Sequence, residues 1–364
     1  VRSCSAQRMA ARCKPSFWQR IPLALAGSLL FAHQCAMAQI PPGNAPAPAA
    51  APAGSQATDG TLAEWLLRLH KASMQNRAYI GTFVVSSGGN MSSARIWHVC
   101  EGDQQMERVE NLTGPHRSTF RHNAQVVTFI PDLKVARTES RESLGLFPEL
   151  LKANAGSIPE FYQARKLGNE RVAGLDADVV QLQPRDSLRF GYRVWTERRT
   201  GMVVKLQTLD VSGKVLEQSA FSELQLDAPV HFEKLAQMMA NTDGYRQETH
   251  EIVKTTALAE GWSLRSPVPG FAPLSCYRRA LSGNAVVPTL QWVFSDGLAT
   301  VSLFVEPFDR QRHLHEATGA MGATQTLTRK MEDPGSGREW WLTAVGEVPA
   351  TTLNAFATAL VRSK

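Results

Sequence analysis

The sequence predicts a mostly β protein of the α+β class, divided into two strand-rich domains. Three observations carry this prediction. From Tyr79 onward, apolar and polar residues alternate with a period of two, in short runs separated by clusters of Gly, Ser, Asp, Asn and Pro. The stretch from Asp227 to Leu258 holds no sustained alternation and splits the strand-rich sequence in two. Helices are predicted in a segment that opens at Thr61, within residues 141–165 and in the C-terminal region.

Ahead of the first domain, residues 1–38 carry Arg2, Arg8, Arg12, Lys14 and Arg20 and no acid. An apolar run from Ile21 to Ala32 follows, then Ala36-Met37-Ala38, the small-residue pattern of a cleavage site. The segment is expected to be a secretory signal, with initiation at Val1 or at Met9, and the apolar run is short for a membrane span. The residues before Cys35, "AHQ", make a poor lipoprotein box. Without this segment, 34 of the 39 Lys and Arg remain against 33 Asp and Glu, so the formal charge of +6 drops almost to neutrality. That balance lacks the electrostatic footprint of a nucleic-acid-binding protein. Residues 39–58, rich in Pro, Ala and Gly and free of charge, are expected to form a disordered tether.

The first domain is expected over residues 59–227. Thr61 and Glu64 form a capping-box pattern, and Leu62, Trp65, Leu66 and Leu69 give the helix behind it one apolar face. Strands are predicted over 79–86, 94–99, 104–110 and 126–130, with breaks at "SSGGN", "EGD", "GPHRS" and "PDLK". Short strands joined by short turns indicate an antiparallel meander. "LFPELLKANAGSIPEFYQAR" predicts one or two short helices packed on the sheet, after which strands resume over 168–173, 177–184, 189–196, 203–209 and 215–223. Residues 228–258 are expected to be a connector. Residues 259–364 then form a smaller α+β domain, closed by a helix in "VPATTLNAFATAL" whose start Thr351 or Thr352 can cap.

Searches for chemistry find near misses. "HEIVK" and "HEATG" begin like a zinc-binding H-E-x-x-H helix but lack the second histidine, and His313 and His315 have no third ligand nearby in sequence. There is no phosphate-binding loop, dinucleotide fingerprint or G-x-S-x-G elbow. Ser295-Asp296-Gly297 places a hydroxyl beside a carboxylate, but a nucleophilic serine needs a separate base, an orienting group and oxyanion donors. Asp-Gly between apolar runs is a hairpin signal, and the turn is the expectation here. No cofactor and no metal are implied. Cys4, Cys13 and Cys35 fall in the leader; Cys100 and Cys276 could form a disulfide, although their placement in different domains favours two separate buried thiols.

A meander that curls without closing has a concave apolar face able to hold acyl chains or a peptide. Phe83, Trp97, Phe129 and Trp195 are the aromatic candidates for ligand contact. Arg185 and Arg189, flanking Asp186, either pair with nearby acids or meet an anionic headgroup. In the second domain Trp292, Phe294, Phe304 and Trp341 are candidate anchors for a partner, set against the alternative that each serves the core.

Several segments, in order, resemble the MucB/RseB family of periplasmic regulators of an envelope-stress sigma factor. They are "YIGTFVV", the run Glu170 to Asp210, "GKVLEQSAFSEL", "GWSLRSPVPGF", "SDGLATVSLFVEP", "GAMGAT" and "VGEVP". The resemblance spans most of residues 60–362. It implies a large, open half-barrel antiparallel sheet with helices on its concave side, like the lipoprotein carriers, beside a compact α+β domain. It also implies a non-enzymatic function in the periplasm. The protein would bind the periplasmic segment of a membrane-spanning anti-sigma factor and shield it from a stress-activated protease. Lipid, lipopolysaccharide or lipoprotein would be the release signal. The same half-barrel also suits a lipid or lipoprotein carrier, and an exposed sheet edge would favour homo-oligomers. The second tryptophan in "EWWLTAVGE" and the insertion "MEDPGSGRE" depart from the family pattern and lengthen one turn.

Overall fold

The computed structural model describes residues 59–74, 77–141, 144, 147–151, 155–249, 252–279, 289–333 and 335–362. The expected leader and tether lie outside them. Helix α1 (Asp59–Met74) begins ahead of the predicted capping box and buries Leu62, Trp65, Leu66 and Leu69. Each such side chain contributes about 1.5–3 kcal/mol by leaving water. The chain then enters a meander: β1 (Tyr79–Ser87), β2 (Asn90–Glu101), β3 (Gln104–Asn111), β4 (Ser118–His122), β5 (Gln125–Ile130) and β6 (Val135–Ser140). Gly88 and Gly89 turn β1 into β2, both with positive φ, as a two-residue hairpin loop of this hand requires.

After the short helix α2 (Ile158–Phe161), the second half of the sheet runs through β7 (Tyr162–Val172), β8 (Leu175–Pro184), β9 (Gly191–Glu197), β10 (Val203–Leu209) and β11 (Val215–Leu226). Of the helices expected over 141–165, only α2 and a 3-10 turn at Ala155–Ser157 form among the described residues. β1 pairs with both β2 and β11, joining the two halves antiparallel. Gly81 sits at this seam because a Cβ there would strike the Phe221 ring. With β12 (Arg246–Thr249) at one edge, the sheet of twelve strands described here runs β12-β6-β5-β4-β3-β2-β1-β11-β10-β9-β8-β7, so its two ends do not pair and the barrel stays open.

Residues 228–258 are more structured than a connector. Helix α3 (Phe232–Ala240) is followed by β12 (Arg246–Thr249), which adds to β6 as a parallel edge, and by β13 (Ile252–Lys254), which belongs to the second sheet. The helices also divide between faces. α1 and α2 pack on the face carrying Tyr79, Phe83, Ile96 and Val109. Leu235 and Met239 of α3 pack on the opposite face, against Val99, Met106, Phe120 and Phe129. Strand alternation explains this: Ile96 and Val109 pair on one side, and Val99 and Met106 pair on the other.

The smaller domain holds β14 (Trp262–Leu264), β15 (Ala272–Arg279), β16 (Thr289–Ser295), β17 (Thr300–Pro307), β18 (Ala317–Met321), β19 (Thr324–Glu332), β20 (Glu339–Gly346), helix α4 (Ala350–Ala359) and β21 (Leu360–Arg362). Its main sheet runs β13-β15-β16-β17-β20-β19-β18, with β14 paired to β21. Leu353, Phe356 and Ala357 of α4 close a core with Phe271, Phe294, Val301, Leu303 and Leu342. The helix ends earlier than expected, and β21 finishes the described chain. Pro349 occupies the N-cap. Thr351 and Thr352 donate their hydroxyls to the carbonyls of Ser187 and Leu188 in the first domain, at 3.3 and 2.6 Å.

Candidate functional site

The open face of the half-barrel contains a cavity of about 290 Å³ under α1 and the segment around Phe147. One end is apolar, lined by Leu69, Ile96, Val109, Phe147, Leu150 and Val203. Phe83 and Phe221 support it from below, packed against Phe147 with ring centroids 5.7 and 4.9 Å away. The other end is polar and carries Arg77, His98, Glu107 and Arg121. Strand register builds this end, since His98 on β2 faces Glu107 on β3, which faces Arg121 on β4. Glu107 Oε1 lies 3.0 Å from His98 Nδ1, and its Oε2 accepts from Arg121 Nε at 2.7 Å. Tyr79 stacks on the His98 ring at 4.9 Å.

The charges in this chain hold one another. Burial alone would lower His98, but hydrogen bonds to Cys100 and Glu107 outweigh it and raise the imidazolium to about 9. Burial alone would raise Glu107, but the bonds from His98 and Arg121 outweigh it and bring the carboxyl down to about 2. The buried Tyr79 phenol is pushed well above its usual range, chiefly by desolvation. The polar end is therefore a fixed, ionised cluster at neutral pH, set against an apolar chamber. Such a combination suits an amphiphile, with an apolar body and a polar head.

A second cluster joins the two domains. Arg189, fully buried, donates from Nε to Asp296 Oδ2 at 2.9 Å and from a terminal nitrogen to the Pro269 carbonyl at 2.6 Å. It also pairs with Asp186 and lies against the Phe161 and Phe271 rings, at 4.2 and 4.9 Å. Asp296, equally buried, accepts on Oδ2 from the Tyr162 hydroxyl at 3.0 Å and on Oδ1 from the backbone N–H of Leu298 and Ala299 at 3.0 and 2.8 Å. The loop is thus four residues, 296–299, between the paired Ser295 and Thr300, and of these Gly297 is the one with positive φ. A tight two-residue turn is replaced because Asp296 reaches across to Arg189 while its side chain ties down its own loop. Each domain also places a leucine in the other's core: Leu298 packs in the first and Leu188 against the second.

The sequence-predicted site residues scatter. Phe83 underlies the cavity. Trp97 and Phe129 belong to the opposite face, where Arg108 lies over Trp97 at 4.7 Å and Tyr245 meets Phe129 edge-on at 5.1 Å. Trp195 is a core residue whose Nε1 donates to Glu170 at 2.8 Å. Arg189 is the interdomain clamp rather than a headgroup contact, and Arg185 is an exposed residue of the same loop. In the second domain, Trp292 and Phe294 face the core with α4, and Phe294 is 1 % exposed. Phe304 and Trp341 lie on the other face, Trp341 stacked on a buried His313 at 4.8 Å. His313 is held by Glu306 and by the Asp309 backbone N–H. The His98–Glu107–Arg121 chain escaped sequence reading because its members lie on three strands. Their alternation in "WHVCE", "QQMERVE" and "TFRH" was the available signal.

An open half-barrel with an amphiphilic cavity, clamped to a small α+β domain, defines a binding protein of two coupled domains. The chain belongs to the MucB/RseB family: the family's N-terminal domain model matches residues 61–239 and its C-terminal domain model matches residues 256–361. A relative in Pseudomonas aeruginosa, the sigma factor AlgU regulatory protein MucB, is 29 % identical over 308 residues, covering 84 % of this chain and 92 % of that one. Two solved structures are similar throughout. MucB in complex with MucA(peri) matches with a TM-score of 0.63 and 27 % identity, covering 83 % of this chain and 99 % of that one. The Pseudomonas aeruginosa MucA/MucB complex matches with a TM-score of 0.64 and 25 % identity, covering 83 % and 98 %. The family is one of regulatory binding proteins rather than enzymes.

Proposed function

We propose that this protein is a periplasmic negative regulator of an envelope-stress sigma factor. It binds the periplasmic segment of a membrane-spanning anti-sigma factor and shields it from regulated proteolysis. The observation that carries this reading is similarity across both domains to a protein whose structure was solved in complex with MucA(peri). The cavity supplies the second half of the reading. An acyl-bearing ligand, whether lipid, lipopolysaccharide or the lipidated end of a lipoprotein, enters the apolar end and sets its head against Arg77, His98 and Arg121. Release follows from linkage: the ligand dissociates the partner only by binding the free regulator better than the complex. Partner contact is assigned to the second domain, on the face of Phe304 and Trp341.

Titration of a fluorescent anti-sigma periplasmic segment with this protein tests the reading. Saturable binding that weakens when lipopolysaccharide is added supports it. Binding of lipopolysaccharide with no binding of the segment would replace it with the lipid-carrier reading, which the same cavity accommodates.

A further inference from the structure

Next to the cavity, a nucleophile, an imidazole and a carboxylate stand in line. Cys100 follows His98 by two residues on β2, so both side chains point to the cavity face. Cys100 Sγ lies 3.3 Å from His98 Nε2, and His98 Nδ1 lies 3.0 Å from Glu107 Oε1. Glu107 is anchored by Arg121 at 2.7 Å, and Arg121 also donates to the Asn123 carbonyl at 3.0 Å. The ring of His98 is fixed by stacking on Tyr79. This is the spatial logic of an activated nucleophile: the thiol in reach of an imidazole, the imidazole oriented by a third group. Cys100 is half-buried, and its cross-strand neighbour Gln105 lines the cavity. Cys276 offers the contrast, a buried thiol in the second domain that desolvation pushes up to about 11.

We propose that Cys100 is a reactive thiol that captures disulfides and related thiol-directed electrophiles at the polar end of the cavity, with His98 as its activating partner and Glu107 as a positioning residue. Cys100 interacts electrostatically with Tyr79, His98 and Arg121; Glu107 acts on those same groups from β3, and Glu149 acts on Tyr79 and Arg121 from the covering segment. Hydrogen bonds to Cys100 and Glu107 hold His98 as imidazolium to about 9. An imidazolium that keeps its proton stabilises a thiolate but cannot cycle as a base, so the arrangement favours one-step capture over turnover. In that step the Cys100 thiolate attacks one sulfur of a low-molecular-weight disulfide. A new S–S bond forms to Cys100, the reagent's S–S bond breaks, and the departing thiolate leaves with the electron pair. Cys100 is oxidised to the mixed disulfide and half of the reagent is reduced to thiolate. The captured group then lies beside the polar end of the cavity, which Cys100's neighbours His98 and Gln105 line.

The test is the reaction of the full chain with 5,5′-dithiobis(2-nitrobenzoate) at neutral pH, with the adduct mapped by peptide mass spectrometry. The phase absent in Cys100→Ser is assigned to Cys100. An unactivated thiol is a few per cent thiolate at neutral pH, so an imidazolium partner that favours the thiolate, offset by weaker intrinsic nucleophilicity, corresponds to about a fivefold advantage or more. The Cys100 phase is expected to outrun N-acetylcysteine by about that factor and to lose the advantage in His98→Gln. Glu107→Gln is expected to slow it as well, and thermal melts establish that each variant is folded. A Cys100 phase no faster than N-acetylcysteine overturns the proposal even if His98→Gln fails to fold. An equal rate in wild type and folded His98→Gln overturns it too.

Discussion

Replacing Asp296 with asparagine isolates the electrostatic part of the domain clamp. The change preserves shape, and the side-chain oxygen can still accept the N–H groups of Leu298 and Ala299. It removes the counter-charge from Arg189, a residue with no solvent exposure, and turns an amide NH2 toward the Arg189 Nε–H and the Tyr162 hydroxyl. Removing one partner of a buried ion pair costs about 3–5 kcal/mol, because the remaining charge stays buried. Here Asp186 still pairs with Arg189 from the half-buried rim, which places the cost at the lower end, about 3 kcal/mol. Against a total stability of about 5–15 kcal/mol that is a large fraction. Urea unfolding, followed by tryptophan fluorescence and by far-UV circular dichroism, measures it. A cycle with Arg189→Met is expected to show coupling of about 1.5 kcal/mol or more between the two positions. A loss for Asp296→Asn within about 0.5 kcal/mol of wild type, the range of ordinary surface changes, would refute the clamp.

Three further outcomes follow from the same geometry. The His98–Glu107 pair stabilises the fold most between pH 4.5 and 6.5; its contribution fades as pH falls from 4.5 toward about 2, where Glu107 protonates, and as pH rises from 6.5 through about 9, where His98 loses its proton. The difference in Tm between wild type and His98→Gln should therefore be widest in that window and shrink toward alkaline pH. A difference that grows above pH 9 would contradict the assignment. Gly270→Ala should destabilise by about 2–3 kcal/mol, since Gly270 has a φ of +78° and an added Cβ would drive into the Arg189 guanidinium and the Phe161 ring; an unchanged urea midpoint would count against this packing. Val109→Trp should fill the apolar end of the cavity and abolish displacement by lipopolysaccharide while leaving binding of the anti-sigma segment intact; loss of both would mean that the cavity and the partner surface are one site.

Much of the first sheet was legible because its strands obey one simple rule. The predicted 79–86, 104–110, 177–184 and 203–209 differ from β1, β3, β8 and β10 by at most two residues at either end. β4 was hidden by the turn-like residues before it, "GPHRS", and by the polar "STFRH" itself, whose Phe120 faces α3. α3 was present in the sequence as Phe232, Leu235, Ala236 and Met239 at helical spacing, but a search for strand alternation passes over it. The ligand candidates show the limit most clearly. Aromatic identity marks burial, but not the face of the sheet on which a side chain is buried. Trp97 and Phe83 are both strand aromatics; one lies toward α3 and the other beneath the cavity. Ser295-Asp296-Gly297 reads as a hairpin turn, yet the role of Asp296 depends on Arg189, more than a hundred residues earlier in the chain. Local turn chemistry contains no sign of such a partner.

The central claim is protection of a partner under the control of an acyl ligand, and one measurement addresses it directly. The purified periplasmic segment of the anti-sigma factor is digested by its stress-activated protease in the presence of this protein, with and without lipopolysaccharide. Slow cleavage is expected with the protein alone and fast cleavage once lipopolysaccharide is added, with Val109→Trp remaining protective in both. Cleavage at the same rate with and without the protein would contradict it.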